Sequence, residues 1–253
     1  MAFTVEAAAA TEAHRLAQVR IGTAASRGLL RTWRLLDPLD IDGTVGAWLD
    51  AATSVVTAAH ARSVTAAIDY LRSFRVAELV GAGDLVAAGA PFDPVAAALN
   101  LDAVRTSLLV TGPVAVKAGT GRGLPVDRLV AEARAASARA GMRHALNGGR
   151  DTIIGTVEAD DRALGWARAT SGRPCAFCAM LASRGPVYSR ETGGFQAHDG
   201  CSCTAEPVYT RDADWPVGSR RWAALWQQAK DTADGVPTRV QFRRLLEAEQ
   251  AAE

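Results

Sequence analysis

All four cysteines of the chain fall between Cys175 and Cys203, and that concentration constrains how the segment around them can fold. Cys175 and Cys178 stand as Cys-Ala-Phe-Cys; His198, Cys201 and Cys203 follow as His-Asp-Gly-Cys-Ser-Cys. A two-residue spacer in a tight turn lets two sulfurs reach one ion, and His198-x-x-Cys201 repeats that spacing with an imidazole. Four ligands close a tetrahedral site, so one of the five candidates is left over. In an extended strand Cys201 and Cys203 would stand roughly 6.5 Å apart along the backbone. That separation favours three sulfurs with one imidazole over four sulfurs. The reading is one structural zinc held by Cys175, Cys178, His198 and one or both of Cys201 and Cys203. A catalytic zinc would keep an open position beside a base, whereas here the sulfurs suffice to close the shell. Two disulfides would use every cysteine and leave His198 idle, in a chain with no mark of an oxidising compartment.

Helical spacing dominates the chain before this segment. From about Val5 to Leu36, the residues Leu16, Val19, Thr23, Ser26, Leu30 and Trp33 alternate steps of three and four, and Asp37-Pro38 stops the run. From about Thr44 to Leu79 the same alternation links Leu49, Ala52, Val56, Ala59, Ser63, Ala66 and Tyr70, with Phe74 extending it. The short connection predicts an antiparallel pair. Gly81 to Pro94 reads as a loop, Asp102 to Val110 as a short helix and Val126 to Asn147 as a longer one. After Asn147-Gly-Gly149, the stretches Thr152–Val157, Ala163–Thr170 and Cys203–Tyr209, with Tyr188 and Phe195, have strand-like composition. Two helices parted by Gly235-Val-Pro237 close the chain. The predicted fold is mainly α with a small α+β C-terminal module. A helical domain of residues 1–147, led by the long antiparallel pair, precedes a module of residues 148–253 clipped by the Cys/His cluster.

Electrostatics exclude a chain-wide pull toward nucleic acid or membrane, because the formal net charge is only +1. The local exception is Arg105 to Arg150, where Arg128, Arg134, Arg139 and Arg143 are candidate phosphate contacts, weighed against a solvated helix face. Lys117-Ala-Gly-Thr-Gly-Arg-Gly123 lacks the spacing of a nucleotide loop and reads as a flexible connector. His14, His60 and His144 lie on separate helices and read as surface or core-edge residues. Glu6 and Glu12 sit where a secretory signal would be positive, and no apolar run approaches the roughly 20 residues of a membrane span. Synthesis and initial folding in the cytoplasm, with no membrane partner, are expected.

Three stretches carry a family resemblance. Gly165-Trp-Ala-Arg-Ala-Thr170, Arg173-Pro-Cys-Ala-Phe-Cys-Ala-Met-Leu-Ala-Ser-Arg-Gly-Pro-Val-Tyr188 and His198-Asp-Gly-Cys-Ser-Cys203 resemble the phage Mu F-like minor head proteins, above all their actinobacteriophage branch. Trp33 to Asp42 and Tyr70-Leu-Arg-Ser-Phe-Arg75 resemble the N-terminal part of those proteins. The resemblance implies a minor capsid protein made in the host cytoplasm and built into the virion at the capsid interior near the portal. Its implied partners are the portal, the major capsid and scaffold proteins, and packaged DNA. Two other functions compete with this one. A capsid maturation protease would use Ser183 or Ser189 with His198 and Asp199, without a nucleophile elbow or oxyanion-hole motif. A zinc-containing nucleic-acid-binding protein would use the basic run.

Overall fold

The two long helices form where the spacing of apolar and small residues places them. In the computed structural model, which describes the chain apart from residues 1, 3, 171, 190–193, 212–214, 217 and 253, helix α1 spans Val5–Thr32. The Thr4 hydroxyl caps it by accepting the Ala7 N–H, and a 3-10 turn, Trp33–Leu35, ends it ahead of Pro38. Helix α2, Ile41–Gly81, starts at Asp40, whose carboxylate accepts the Gly43 N–H. Thr11 meets Tyr70 and Gln18 meets Ser63, so the two helices run antiparallel.

The buried face of α2 carries Leu49, Ala52, Val56, Ala59, Ser63, Tyr70 and Phe74 as expected, with Ala67 buried in place of Ala66. On α1 the buried stripe is rotated from the expected one. It runs through His14, Gln18, Gly22, Ala25 and Leu29, while Leu16 is exposed. The reason is a polar seam. His14 contacts the Ala66 carbonyl and the Thr204 hydroxyl, Gln18 and Ser63 hydrogen-bond each other, and these pairings outweigh the burial of one leucine.

Short helices α3 (Leu85–Gly89), α4 (Leu101–Thr111) and α5 (Pro113–Thr120) lead to α6, Val126–Ala159. Three expectations fail in this region. The stretch from Gly81 to Pro94, expected as a loop, holds α3, which the Asp84 carboxylate caps by accepting the Ala87 N–H. Lys117 to Thr120 belong to α5 rather than to a connector, and the Lys117 ammonium pairs with Asp42 at 2.7 Å. Thr152–Val157 are helical rather than extended, because α6 passes through Gly148 and Gly149 without a break. Those glycines are where α6 crosses α1 and α2. A methyl group on Gly148 would lie 2.8 Å from the His60 carbonyl oxygen, and one on Gly149 would lie 2.7 Å from Gln18 and 2.8 Å from the Ser63 hydroxyl. Close approach, not a turn, requires them.

Beyond α6 the sheet has strand order β2-β1-β3 and is antiparallel throughout, from β1 (Gly165–Ala169), β2 (Tyr188–Ser189) and β3 (Thr204–Val208). Trp166 faces Tyr188 on one side and Pro207 on the other. Helix α7, Ala176–Ala182, lies between β1 and β2 in sequence, and Phe195 sits in irregular chain rather than in a strand. Helices α8 (Ser219–Asp231) and α9 (Thr238–Ala251) close the chain as expected, with Trp222 buried between them and α7. The architecture is mainly α with a small α+β part. One apolar cluster runs without interruption from Leu71 and Phe74 on α2, through Ile153 and Val157 on α6, to Trp166 and Cys203.

Candidate metal centre

The first knuckle is the start of α7. Cys175 is its N-cap, with extended backbone, and its Sγ accepts the Cys178 N–H at 3.5 Å. One helical turn therefore places both sulfurs at the N-terminal end of α7. The second knuckle is a turn in which the Cys201 N–H donates to the His198 carbonyl at 3.1 Å. Gly200 supplies the required positive φ of 80° and docks on α6, its N–H donating to the Arg139 carbonyl at 3.2 Å. Cys203 follows at the foot of β3.

The two knuckles meet at Cys178. His198 Nε2 lies 2.9 Å from Cys175 Sγ and 3.4 Å from Cys178 Sγ, and Cys178 Sγ lies 3.5 Å from Cys201 Sγ. Two trios, Cys175–Cys178–His198 and Cys178–Cys201–Cys203, each have ligand atoms within 4.8 Å of one another. A tetrahedral ion with bonds of about 2.3 Å to sulfur spaces its ligands by about 3.8 Å, so the edges meeting at Cys178 fit such an ion. His198 Nδ1 is 2.9 Å from the Asp199 carbonyl oxygen, the contact that fixes a tautomer with Nε2 free to ligate. All four cysteines are free thiols in the structure. Cys178, Cys201 and Cys203 are buried, whereas Cys175 and His198 are exposed and border a cleft of about 530 Å³ that Arg243 and Glu247 of α9 also line.

The sulfurs perturb one another. The hydrogen bond with Cys178, aided by His198, draws the Cys175 thiol down to about 5. Cys178 is driven strongly up by its hydrogen bonds with the Cys175 and Cys201 sulfurs. Cys201 is driven strongly down by its hydrogen bonds with Cys178 and Cys203 and by the Arg150 charge. Cys203 reaches about 12, since its hydrogen bond with Cys178, which lowers it, is outweighed by Cys201 and burial. One sulfur at each knuckle, Cys175 and Cys201, is thus shifted toward the thiolate, the form that binds a soft cation.

Two buried arginines, Arg150 and Arg168, were not legible as part of this site. Arg150 stands at the end of the basic run expected on a solvated face, yet it is 2% exposed and donates to the carbonyls of Cys203 at 2.9 Å and Cys201 at 2.6 Å. Arg168 on β1 is 1% exposed, donates to the Gln196 carbonyl at 2.6 Å and lies 3.9 Å from Cys178 Sγ. Both guanidiniums lie over the Phe195 ring. No spacing rule marks a buried arginine. Only the Trp166-x-Arg168 alternation, which places both side chains on one face of a strand, hinted that Arg168 points inward.

The four candidate phosphate contacts do not form one surface. Arg128 pairs with Glu132 at 2.8 Å, and Arg143 pairs with Asp199 at 2.6 Å. At roughly 100° per residue, Arg134 lies on the side of α6 opposite the other three, beside Arg31 and Arg34 in a cleft of about 370 Å³. Arg134 and Arg139 are exposed, with no ion pair among the described residues. Nor do the side chains proposed for a serine protease converge. Ser183 donates to the Met180 carbonyl at 2.7 Å, His198 turns Nε2 toward sulfur, and the Asp199 carboxylate is taken by Arg143. His14, His60 and His144 lie apart from the sulfurs. His14 stacks on Tyr70 with ring centroids 4.5 Å apart.

Comparison with known proteins gives two matches. The profile of a family described as VG15 protein matches residues 5–229. The Gene 15 protein of Mycobacterium phage D29 is 32% identical over 118 residues, a match covering 32% of this chain and 42% of that protein. The chain therefore matches less than half the length of that curated relative. No solved structure matches.

Proposed function

We propose, from the premise that the chain belongs to the VG15 protein family, that this phage protein is a structural component of the head: a minor capsid protein of the Mu F-like kind with one structural zinc. Among the described residues no helix is long and apolar enough to cross a membrane. The observation that carries the reading is the junction at Cys178. It gathers ligands from the start of α7 and from the turn before β3 into two trios packed against the helical core. Sulfur and imidazole donors at these spacings select zinc among common divalent ions. Cys175, Cys178, His198 and Cys201 are the preferred ligands, and Cys203 lies beside them. When bound, the ion would cross-link two loops that have few large apolar side chains of their own.

The proposed location is the capsid interior near the portal. The proposed partners are the portal and the major capsid or scaffold proteins, with packaged DNA a lesser contact because Arg128 and Arg143 are already paired. Quantitative mass spectrometry of purified procapsids and virions, with metal analysis of the isolated protein, tests both parts. A fixed low copy number in the particles and about one zinc per chain support them. Absence from both particles would overturn the head assignment, and absence of metal under reducing conditions would overturn the zinc.

A further inference from the structure

The cluster contains more buried positive charge than any carboxylate in its surroundings answers. Arg150 comes from α6 and Arg168 from β1, and among the described residues neither has a carboxylate partner. Their hydrogen bonds go to the carbonyls of Cys201, Cys203 and Gln196, to the Asn147 amide oxygen and to Cys178 Sγ. Arg168 Nε is buried with no acceptor among the described residues. Guanidiniums stay protonated in proteins, so burying two of them around one aromatic ring is costly unless anionic charge lies close by. Among the described residues the Asp151 carboxylate acts on Arg150 without an ion pair, and the groups that can place negative charge beside both guanidiniums are the cysteine sulfurs.

We infer that Arg150 and Arg168 are positioning residues that serve as the built-in counter-charge of an anionic metal–thiolate centre. The inference rests on the metal reading above and goes beyond the ligands themselves. A dication held by Cys175, Cys178, Cys201 and His198 carries a net charge of one minus, and one held by all four thiolates two minus, so in either case the two guanidiniums lie beside an anionic centre. The same two side chains also set the geometry. Arg150 grips the carbonyls on both sides of Ser202, which holds the second knuckle toward Cys178, and Arg168 ties Cys178 to the Gln196 carbonyl ahead of His198. Phe195 keeps both planes in place, with Arg168 3.7 Å and Arg150 5.1 Å from its ring centre. A neutral or cationic cluster would leave these charges uncompensated, so the site is specific for thiolate-bound soft dications.

The test is competition for zinc between a chromophoric chelator and the full chain under reducing conditions, repeated with cobalt to read the sulfur-to-metal absorption. Arg168→Met keeps length and apolar contact but removes the charge; Arg168→Lys restores charge without the planar fork. The expectation is a loss of zinc affinity of about ten- to a hundredfold in Arg168→Met, the range seen when groups behind metal ligands are removed, with partial recovery in Arg168→Lys. The cobalt band should persist but shift. Should Arg168→Met not fold, Arg150→Gln is read in the same assay with the same expectation. Unchanged zinc affinity in folded Arg168→Met or Arg150→Gln would overturn the counter-charge inference alone. Wild-type protein that binds neither zinc nor cobalt would overturn the metal reading and this inference with it.

Discussion

Adding one methyl group at Gly148 and one at Gly155 should move stability in opposite directions. Both residues are inside α6, so each Gly→Ala change carries the same helix-propensity gain of about 1 kcal/mol. Their surroundings differ. At Gly155 the nearest atoms to the new methyl are on the Val95 side chain at 3.6 and 3.8 Å, ordinary contact distances. At Gly148 the new methyl meets the His60 carbonyl oxygen at 2.8 Å and its ring at 3.0 and 3.1 Å. The obstacle is backbone of a neighbouring helix, which cannot rotate away, so the cost falls toward the upper part of the usual overpacking range of about 1–3 kcal/mol. Gly155→Ala is expected to stabilise by about 1 kcal/mol and Gly148→Ala to destabilise by about 1–2 kcal/mol. Urea unfolding followed by circular dichroism in reducing buffer measures the difference, which needs equal m-values to be read as stability. In a thermal melt each kcal/mol corresponds to about 2–4 °C for a chain of this size. The crossing also sets Arg150 under the second knuckle, so Gly148→Ala should weaken metal binding as well. Equal stability of the two variants would mean that α6 does not cross α2 at Gly148, and the account of the site's position would fail with it.

Three further outcomes are expected. Cys178→Ser removes the ligand common to both trios, so metal content should fall well below that of wild type and amide exchange should rise across residues 165–209, with α1 and α2 protected as before; retained stoichiometric metal would refute the shared position. His14 is held down at about 4 by burial, with its contact to the Ala66 carbonyl opposing. The unfolded chain then takes up its proton first as pH falls below about 6.5, so stability present at neutral pH is lost toward pH 4, by up to about 3 kcal/mol, and His14→Gln should flatten that slope. DNA binding by α6 should be weak, with a slope of log affinity against log salt no steeper than about −2, because Arg134 and Arg139 are its exposed arginines without an ion pair among the described residues; a steeper slope that is lost on Arg128→Gln would show that the Glu132 pair opens for phosphate.

Much of this molecule follows from local rules. The three-and-four spacing from Leu49 to Phe74 determined a long helix and its buried face, Asp37-Pro38 its partner's end, and Gly112-Pro113 and Gly235-Val-Pro237 the breaks between later helices. The Cys-x-x-Cys and His-x-x-Cys spacings determined two knuckles, because a two-residue spacer acts through a single turn. What the sequence alone could not decide depends on neighbours far along the chain. Gly148 and Gly149 carry the signature of a turn, and only the surfaces of His60, Gln18 and Ser63 make them a helix crossing. Thr152 to Val157 have strand-forming side chains, and burial against the core holds them helical. His14 and Gln18 turn inward because Ser63, Ala66 and Thr204 offer partners there. Arg150 is written like every other arginine of the basic run; the fold alone buries it, by bringing the carbonyls of Cys201 and Cys203 to its guanidinium from half a hundred residues away.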